Sequence, residues 1–188
     1  MNPISLMPGP EGTRVPDGLS VLRLGSSSTL NQVAIDQLTG DKTSLIGFFE
    51  LSSDDKRQST PRLSVWVEGL TTVEQAWVLV GQERKRRIVL KLQVDRIREL
   101  RPQPPEPPHP GLDVEWEPAS RPDGYGGRMP EDRPGAEGHA GVARLDNAHG
   151  TKSQRKYLRT KLADLAVVRI LDDTEIDRIV ALLPPPVT

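Results

Sequence analysis

Short apolar runs separated by polar turns make up much of the first two thirds of the chain, and they predict β-strands. Residues 19–24 and 63–67 are compact apolar segments, and in residues 88–94 every second position is apolar. An alternation of period two is typical of a strand with one buried face. Further strands are predicted at 33–38, 112–116 and 140–145. Together these segments provide enough strands for one sheet.

Apolar residues in the last part of the chain recur at helical spacing instead. Leu158 and Leu162 share one face of a helix predicted at 152–168. In a second helix, Asp172 and Glu175 have the spacing of a capping box. The apolar face of this second helix consists of Ile176, Ile179, Val180 and Leu183. The patterns predict an α+β fold, in which a small mixed or antiparallel sheet packs against two C-terminal helices.

Proline and glycine divide the chain into an arm, a domain and an insert. Residues 1–17 are rich in proline, which opposes both helix and strand and predicts a loose N-terminal arm. An insert at about 102–138 is rich in proline and glycine, and it begins with a proline-dense stretch that favours polyproline II. Residues 18–188 are therefore predicted to form a single α+β domain that contains this insert.

Composition and charge narrow the classes of protein that the chain can represent. The 25 basic and 26 acidic side chains give a formal net charge of −1, so any attraction to nucleic acid or anionic lipid must be local. The absence of cysteine excludes disulfides and thiolate metal sites. The sequence has neither the pattern of a signal peptide nor an apolar stretch of membrane-spanning length. It predicts a cytoplasmic bacterial protein with no membrane partner.

His139 is the candidate for catalysis, because it precedes a predicted strand and lies near Asp132 in the sequence. A carboxylate would orient its ring as a general base, with Ser44 or Ser64 as neighbours in space. The alternative, which we favour, is a hydrogen-bonded structural histidine. The three histidines are scattered and lack HExxH spacing, so the sequence predicts neither a metal site nor a cofactor.

A basic stripe runs along the first of the two C-terminal helices. Its residues are Lys152, Arg155, Lys156 and Arg159, which recur at helical spacing beside the leucine face. Such a stripe suits phosphate groups, and Tyr157 would stack on a base. The alternative, which we favour at this point, is a solvated helix face with buried lysine and arginine stems.

Three short motifs follow one another within residues 19–166. They are a Thr-Gly turn at 39–44 that leads to Phe49, an LSV strand at 63–65, and a proline-bearing loop that ends in His139 and Ala140 before a strand. In these motifs the chain resembles a group of short bacterial proteins without an assigned activity. The resemblance implies a compact accessory protein associated with antiviral defence, and it implies no reaction.

These features predict a function that lies on a surface. The favoured hypothesis is a non-enzymatic protein-interaction or accessory component of a larger bacterial assembly, because no catalytic or metal constellation is complete. The apolar face of the second C-terminal helix would contact that protein partner unless the chain's own sheet buries it. The first alternative is a nucleic-acid-binding accessory protein that uses the basic stripe. The second is a small enzyme that uses His139.

Overall fold

The computed structural model describes residues 6–52, 55–56, 60–80, 87–117 and 134–181. Its strands are β1 (Ser20–Gly25), β2 (Arg62–Val67), β3 (Ile88–Gln93), β4 (Asp113–Trp116), β5 (His139–Ala143) and β6 (Val167–Ile170). Its α-helices are α1 (Leu30–Thr39), α2 (Val73–Val80), α3 (Val94–Glu99), α4 (Lys152–Leu165) and α5 (Asp173–Ala181). Short 3₁₀ helices cover Ser27–Thr29, Thr43–Phe49 and Ala136–Gly138.

Within the described residues, the strands form one antiparallel sheet of six strands in the order β4-β5-β2-β1-β3-β6. In the central strand β1, Leu22 lies opposite Trp66 of β2 and Leu24 lies opposite Val89 of β3. Helices pack on both faces of the sheet. The predicted α+β fold, a sheet packed against C-terminal helices, is therefore confirmed.

The first face of the sheet carries the larger hydrophobic cluster. Val65, Leu90 and Val142 pack there with Leu158 and Leu162 of α4. The two leucines are the face that the helical spacing predicted. Further members from α1 and from the 3₁₀ helix Thr43–Phe49 are Val33, Leu45 and Phe49. Helix α4 is thus fixed by its apolar side, which leaves its basic side directed away from the core.

The second face carries a smaller cluster under α2 and α5. Leu22, Trp66 and Val89 pack there with Trp77 of α2 and Ile179 of α5. Because successive strand residues point to opposite faces, the central strands bury both of their sides. The sequence pattern of β3 predicted one buried face, and the burial of Val89 shows that there are two.

Residues 33–38, which were predicted as a strand, lie in α1. Val33 and Asp36 are buried and Leu38 is exposed, and the spacing of three between the buried residues fits one turn of a helix. The apolar content of the segment favoured a strand, but only one helical face reaches the core. Gly40 then ends the helix with φ of +73°, a conformation that suits glycine.

The helix predicted at 152–168 ends earlier, and its last residues belong to β6. Ala166 adopts extended backbone angles after α4. The chain then pairs with β3, where Val168 lies opposite Leu90. Exposure alternates along β6. This period-two signal covers too few residues to stand out from the helical pattern that precedes it.

The N-terminal arm, predicted to be loose, is anchored in its described part. The backbone N–H groups of Gly12 and Val15 donate hydrogen bonds of 2.9 Å to the carbonyls of Trp116 and Val114. These bonds lie along the outer edge of β4, which would otherwise present unpaired backbone groups. The arm therefore completes one edge of the sheet.

Arg98 of α3 holds this edge together. Its guanidinium donates to the carbonyls of Val15 and Val114 at 2.6 and 3.0 Å, pairs with Asp113 at 2.6 Å, and also pairs with Asp17. Burial raises the pKa of Asp113, but the Arg98 guanidinium and the Val114 amide outweigh it and hold the pKa below its ordinary range. The carboxylate and guanidinium therefore form a charged pair that links the arm, α3 and β4.

Both C-terminal helices begin with a capping box. Thr151 and Gln154 form one at the start of α4. Asp172 and Glu175 form the predicted one before α5, through reciprocal bonds of 2.8 and 3.0 Å. None of the helices in the described part of the chain is long and apolar enough to cross a membrane.

Candidate functional site

A cleft of about 590 Å³ opens beside the first turns of α4. One wall is α4 itself, and the others are the turn that precedes α4 and the segment that follows the 3₁₀ helix Thr43–Phe49. The cationic residues that line it are Lys56, Lys152, Arg155 and Arg159. Carboxylates are contributed by Glu50 and Asp146, and His149 also belongs to the lining. We refer to this cavity as the basic cleft.

Two of the cations in the basic cleft are engaged by other groups. Arg159 forms an ion pair with Glu50 at 2.6 Å, and Arg155 donates to the carbonyl of Gly150. Among the described residues, the ammonium groups of Lys56 and Lys152 have no ion-pair partner. They are therefore the cations most readily available to an anionic ligand.

Asp146 and His149 form a hydrogen-bonded pair on the cleft wall. Nδ1 of His149 lies 2.9 and 3.0 Å from the two carboxylate oxygens of Asp146, and the Ala148 amide donates to the same carboxylate at 2.6 Å. A carboxylate accepts, so Nδ1 of His149 carries a proton and donates it to Asp146. The His149 side chain is 41% exposed and Asp146 is 10% exposed, which places the carboxylate behind the ring.

The Asp146 carboxyl stays ionised in this arrangement. Burial raises its pKa, but hydrogen bonds from the His149 ring and the Ala148 amide, together with the charge of His149, outweigh burial. The pKa of Asp146 therefore lies below its ordinary range. An ionised carboxylate at Nδ1 fixes both the orientation and the tautomer of the imidazole.

The proline-dense segment that contains His109 packs against the turn that precedes α4. Nδ1 of His109 accepts from the Gly111 amide at 3.0 Å, so its Nε2 donates to the Arg144 carbonyl at 3.1 Å. Burial lowers the pKa of His109. The ring packs so closely on Gly150 that a Cβ at that position would lie 2.6 Å from its Cδ2. His109 is thus a neutral structural residue.

Gln154 adds a second anchor for the same segment. Its side-chain amide donates to the carbonyls of Pro104 and Pro107 at 2.8 and 2.7 Å, while its Oε1 accepts from the Thr151 amide at 2.9 Å. Gln154 is fully buried. The first turn of α4, which carries Lys152, is therefore held against the chain at several points.

The structure brings together part of the predicted basic stripe. Lys152, Arg155 and Arg159 line the basic cleft, whereas Lys156 and Tyr157 do not. Lys156 is exposed to solvent. Tyr157 is half-buried and carries the Lys161 ammonium 5.7 Å from its ring centroid. The predicted phosphate contacts thus gather on one side of the stripe, away from the predicted stacking residue.

His139 lies inside the second face of the sheet and not in the cleft. Its side chain is fully buried in β5, 4.7 Å from the Trp66 ring and 3.7 Å from a carboxylate oxygen of Glu117. Asp132, its predicted partner, lies outside the described residues. Ser64 of β2, which was considered as a neighbour of His139, donates a hydrogen bond to Asp55 at 3.2 Å. The burial of His139 hides its ring from any ligand in solvent.

Ser44, the other serine considered beside His139, lies elsewhere. It belongs to the 3₁₀ helix Thr43–Phe49, and its amide donates to Asp36 at 3.0 Å. That 3₁₀ helix packs on the first face of the sheet, whereas His139 contacts Trp66 on the second. The structure therefore does not assemble the predicted group of Ser44 and His139.

The predicted partner-binding face of α5 is used mainly inside the chain. Ile179 is 1% exposed and Ile176 packs against the same cluster under α5. Val180 remains 49% exposed. Leu183 lies outside the described residues. Within the described residues, Val180 alone of the four predicted contacts offers a largely exposed apolar surface.

The sequence patterns did not single out His149, Asp146 or Lys56 as residues of the basic cleft. A carboxylate three residues before a histidine is nevertheless a usable signal for an oriented imidazole. Lys56 comes from a distant polar loop, and no spacing links it to α4. In the described residues there is no group of three or more histidine, aspartate or glutamate side chains that could hold a metal ion.

Comparisons of this chain with protein-family models, with curated protein sequences and with solved structures give no match.

Proposed function

We propose that the chain binds a nucleic-acid strand and that the basic cleft holds its phosphate groups. The observation that carries the proposal is the convergence of Lys56 from one segment with Lys152, Arg155 and Arg159 from another on a single concave surface. Lysine and arginine supply most of the phosphate contacts in complexes of proteins with nucleic acids. The function is thus the first alternative that the basic stripe raised, restricted to one side of that stripe.

The local balance of charge favours an anionic ligand. Four cations and two carboxylates line the cleft, and both carboxylates already have partners, Glu50 in Arg159 and Asp146 in His149. The chain as a whole has a net charge of −1, so attraction is confined to this surface. Binding by such a local site falls as salt is added, because counterions compete for the phosphates.

The shape of the cleft suits a nucleotide unit of a strand. Its volume of about 590 Å³ lies within the range of small-ligand sites. Pro61 contributes an apolar part of the lining beside the cations, and the buried side chains of Phe49 and Leu51 lie behind it. Apolar surface of this kind packs against a sugar or base while the cations hold the phosphate.

The experiment measures the affinity for a fluorescently labelled single-stranded oligonucleotide at low salt. Lys152→Gln should weaken binding by roughly three- to tenfold, because it removes one charge-assisted phosphate contact. Lys156→Gln is the matched control: it makes the same change one turn further along α4, outside the cleft. Its affinity should stay within about twofold of the unmodified chain.

Two results would count against this function. One is the absence of measurable binding at low salt, and the other is an equal loss of affinity in Lys152→Gln and Lys156→Gln. An equal loss would mean that the solvated helix face attracts anions without a site. A mononucleotide competitor in the same assay separates binding of a strand from binding of a free nucleotide.

The protein-interaction hypothesis remains a prediction. The burial of Ile179 against its own sheet removes the centre of the surface on which that hypothesis relied. The basic cleft supplies an alternative surface with defined chemistry, and for that reason we place nucleic-acid binding first.

A further inference from the structure

The pair of Asp146 and His149 adds an oriented imidazole to the charged groups of the basic cleft. Its carboxylate lies on the Nδ1 side of the imidazole at 2.9 Å, and the ring edge that carries Nε2 has no hydrogen-bond partner among the described residues. A histidine whose far nitrogen is held by a buried carboxylate is the arrangement that enzymes use to keep Nε2 ready to accept a proton. Lys152 and Arg155 of α4 line the same cleft.

We propose that His149 is the general base of a ribonucleolytic reaction on a single-stranded RNA bound in the basic cleft. The inference rests on the proposed nucleic-acid binding and adds a substrate class and a reaction to it. Asp146 is a positioning residue in this proposal, because it touches His149 and not the RNA. Lys152 and Lys56 are the cations that face the phosphate.

RNA is the substrate because it carries its own nucleophile. The 2′-hydroxyl lies next to the phosphorus that it attacks, so the protein must supply only a base and compensation for negative charge. The cleft offers one oriented imidazole and cations with no ion-pair partner among the described residues. DNA lacks the 2′-hydroxyl, so it should bind in the same cleft without being cut.

The reaction balances without a further reactant. The proton of the 2′-hydroxyl passes to Nε2 of His149 while the bond between O2′ and phosphorus forms. The bond between phosphorus and O5′ breaks, its electron pair leaves on O5′, and this oxygen takes a proton from water. The imidazolium returns its proton to the resulting hydroxide. The products are a 2′,3′-cyclic phosphate end and a 5′-hydroxyl end. Lys152 and Lys56 stabilise the charge on the non-bridging oxygens.

A purely structural role for the pair makes different predictions. Asp146 also accepts from the Ala148 amide, so the carboxylate could serve only to shape the turn before α4. In that case the replacement of His149 would at most change the stability of the fold, and the unmodified chain would not cut RNA. The formation of cleavage products, and their loss in the His149 variant, therefore distinguish a catalytic role of the pair from a purely structural one.

The experiment incubates the full chain with a single-stranded oligoribonucleotide of mixed sequence and with DNA of the same sequence. We expect RNA fragments that end in 2′,3′-cyclic phosphate, and intact DNA. His149→Gln should lower the cleavage rate by roughly 10²- to 10⁴-fold, the usual contribution of general acid–base catalysis, and leave RNA affinity within about twofold. The Lys156→Gln variant should cut as the unmodified chain does.

Asp146→Asn tests the positioning role separately. An amide at this position no longer selects the tautomer with a free Nε2, so kcat should fall by roughly 10²-fold or more while KM stays within about twofold.

Any one of the following results would overturn the inference. RNA that is bound and not cut refutes the reaction and leaves the proposed function intact. RNA that is neither bound nor cut refutes both. Equal cleavage by the unmodified chain and by His149→Gln identifies a contaminating ribonuclease and removes His149 from the reaction. An oligoribonucleotide with 2′-O-methyl groups needs no variant: if it is cut, the 2′-hydroxyl is not the nucleophile.

Discussion

At the scale of single residues, some glycines occupy positions where a larger side chain would have no room. Gly141 of β5 is one of them, since a Cβ built there would lie 2.4 Å from Cβ of Arg62 and 3.1 Å from Glu117. Arg62 crosses this position to reach Glu115 at 2.7 Å. The glycine therefore makes the space in which a buried ion pair forms on the second face of the sheet.

Gly141→Ala should lower the free energy of unfolding by about 1–3 kcal/mol, because the new methyl group displaces the backbone or Arg62. Urea denaturation measures the change. Gly47→Ala is the control, since a Cβ added there would meet no atom within 4 Å beyond its chain neighbours, and the substitution should be neutral or slightly stabilising. Equal stabilities of the two variants would show that Gly141 has free space.

The residues of the candidate site were only partly predictable. Lys152, Arg155 and Arg159 were found because they lie on one helix, where spacing alone places side chains together. Lys56 is far away in the sequence, and its approach depends on how the whole sheet folds. No spacing in the sequence marks His149 as a site residue, and only its 2.9 Å contact with Asp146 indicates a chemical role.

At the scale of elements, period and length decided which predictions succeeded. The strands at β1, β2, β3, β4 and β5 and the helices α4 and α5 were predicted at nearly their observed positions. α1 was mistaken for a strand because its apolar residues are dense and its buried face is narrow. β6 was missed because four residues are too few to show alternation. The pairing of the arm with β4 has no sequence signal at all.

The link between the arm, α3 and β4 gives a prediction at this scale. Arg98→Ala should lower the free energy of unfolding by about 3 kcal/mol, because it leaves the Asp113 carboxylate, 8% exposed, without its main partner. Proteases should then cut the arm before the rest of the described chain. Denaturation and timed proteolysis provide the two measurements.

Arg96→Ala is the matched control on the same helix. Arg96 is 58% exposed and pairs only with Glu99 at 2.9 Å among the described residues, so its loss should cost no more than about 0.5 kcal/mol. Similar losses in the two variants would mean that the Arg98 pairs contribute no more than a surface ion pair does.

At the scale of the whole molecule, the strand order could not be read from the sequence. Within the described residues, neighbours such as β2 and β5, or β3 and β6, are far apart along the chain. Their pairing depends on the burial of both faces of the sheet. Helix α4 and the 3₁₀ helix Thr43–Phe49 cover one face, and α2 and α5 cover the other. This arrangement places the start of α4 beside the segment that contains Lys56, and so creates the basic cleft.

The measurement that tests the account most directly is the salt dependence of oligonucleotide affinity for the unmodified chain and its lysine variants. If about three phosphates are held, the logarithm of the affinity should fall with the logarithm of salt concentration with a slope of about −2. Lys56→Gln and Lys152→Gln should each flatten the slope by about 0.7, and Lys156→Gln should leave it unchanged. A slope near zero for the unmodified chain, or the same flattening in all three variants, would contradict phosphate binding in the basic cleft.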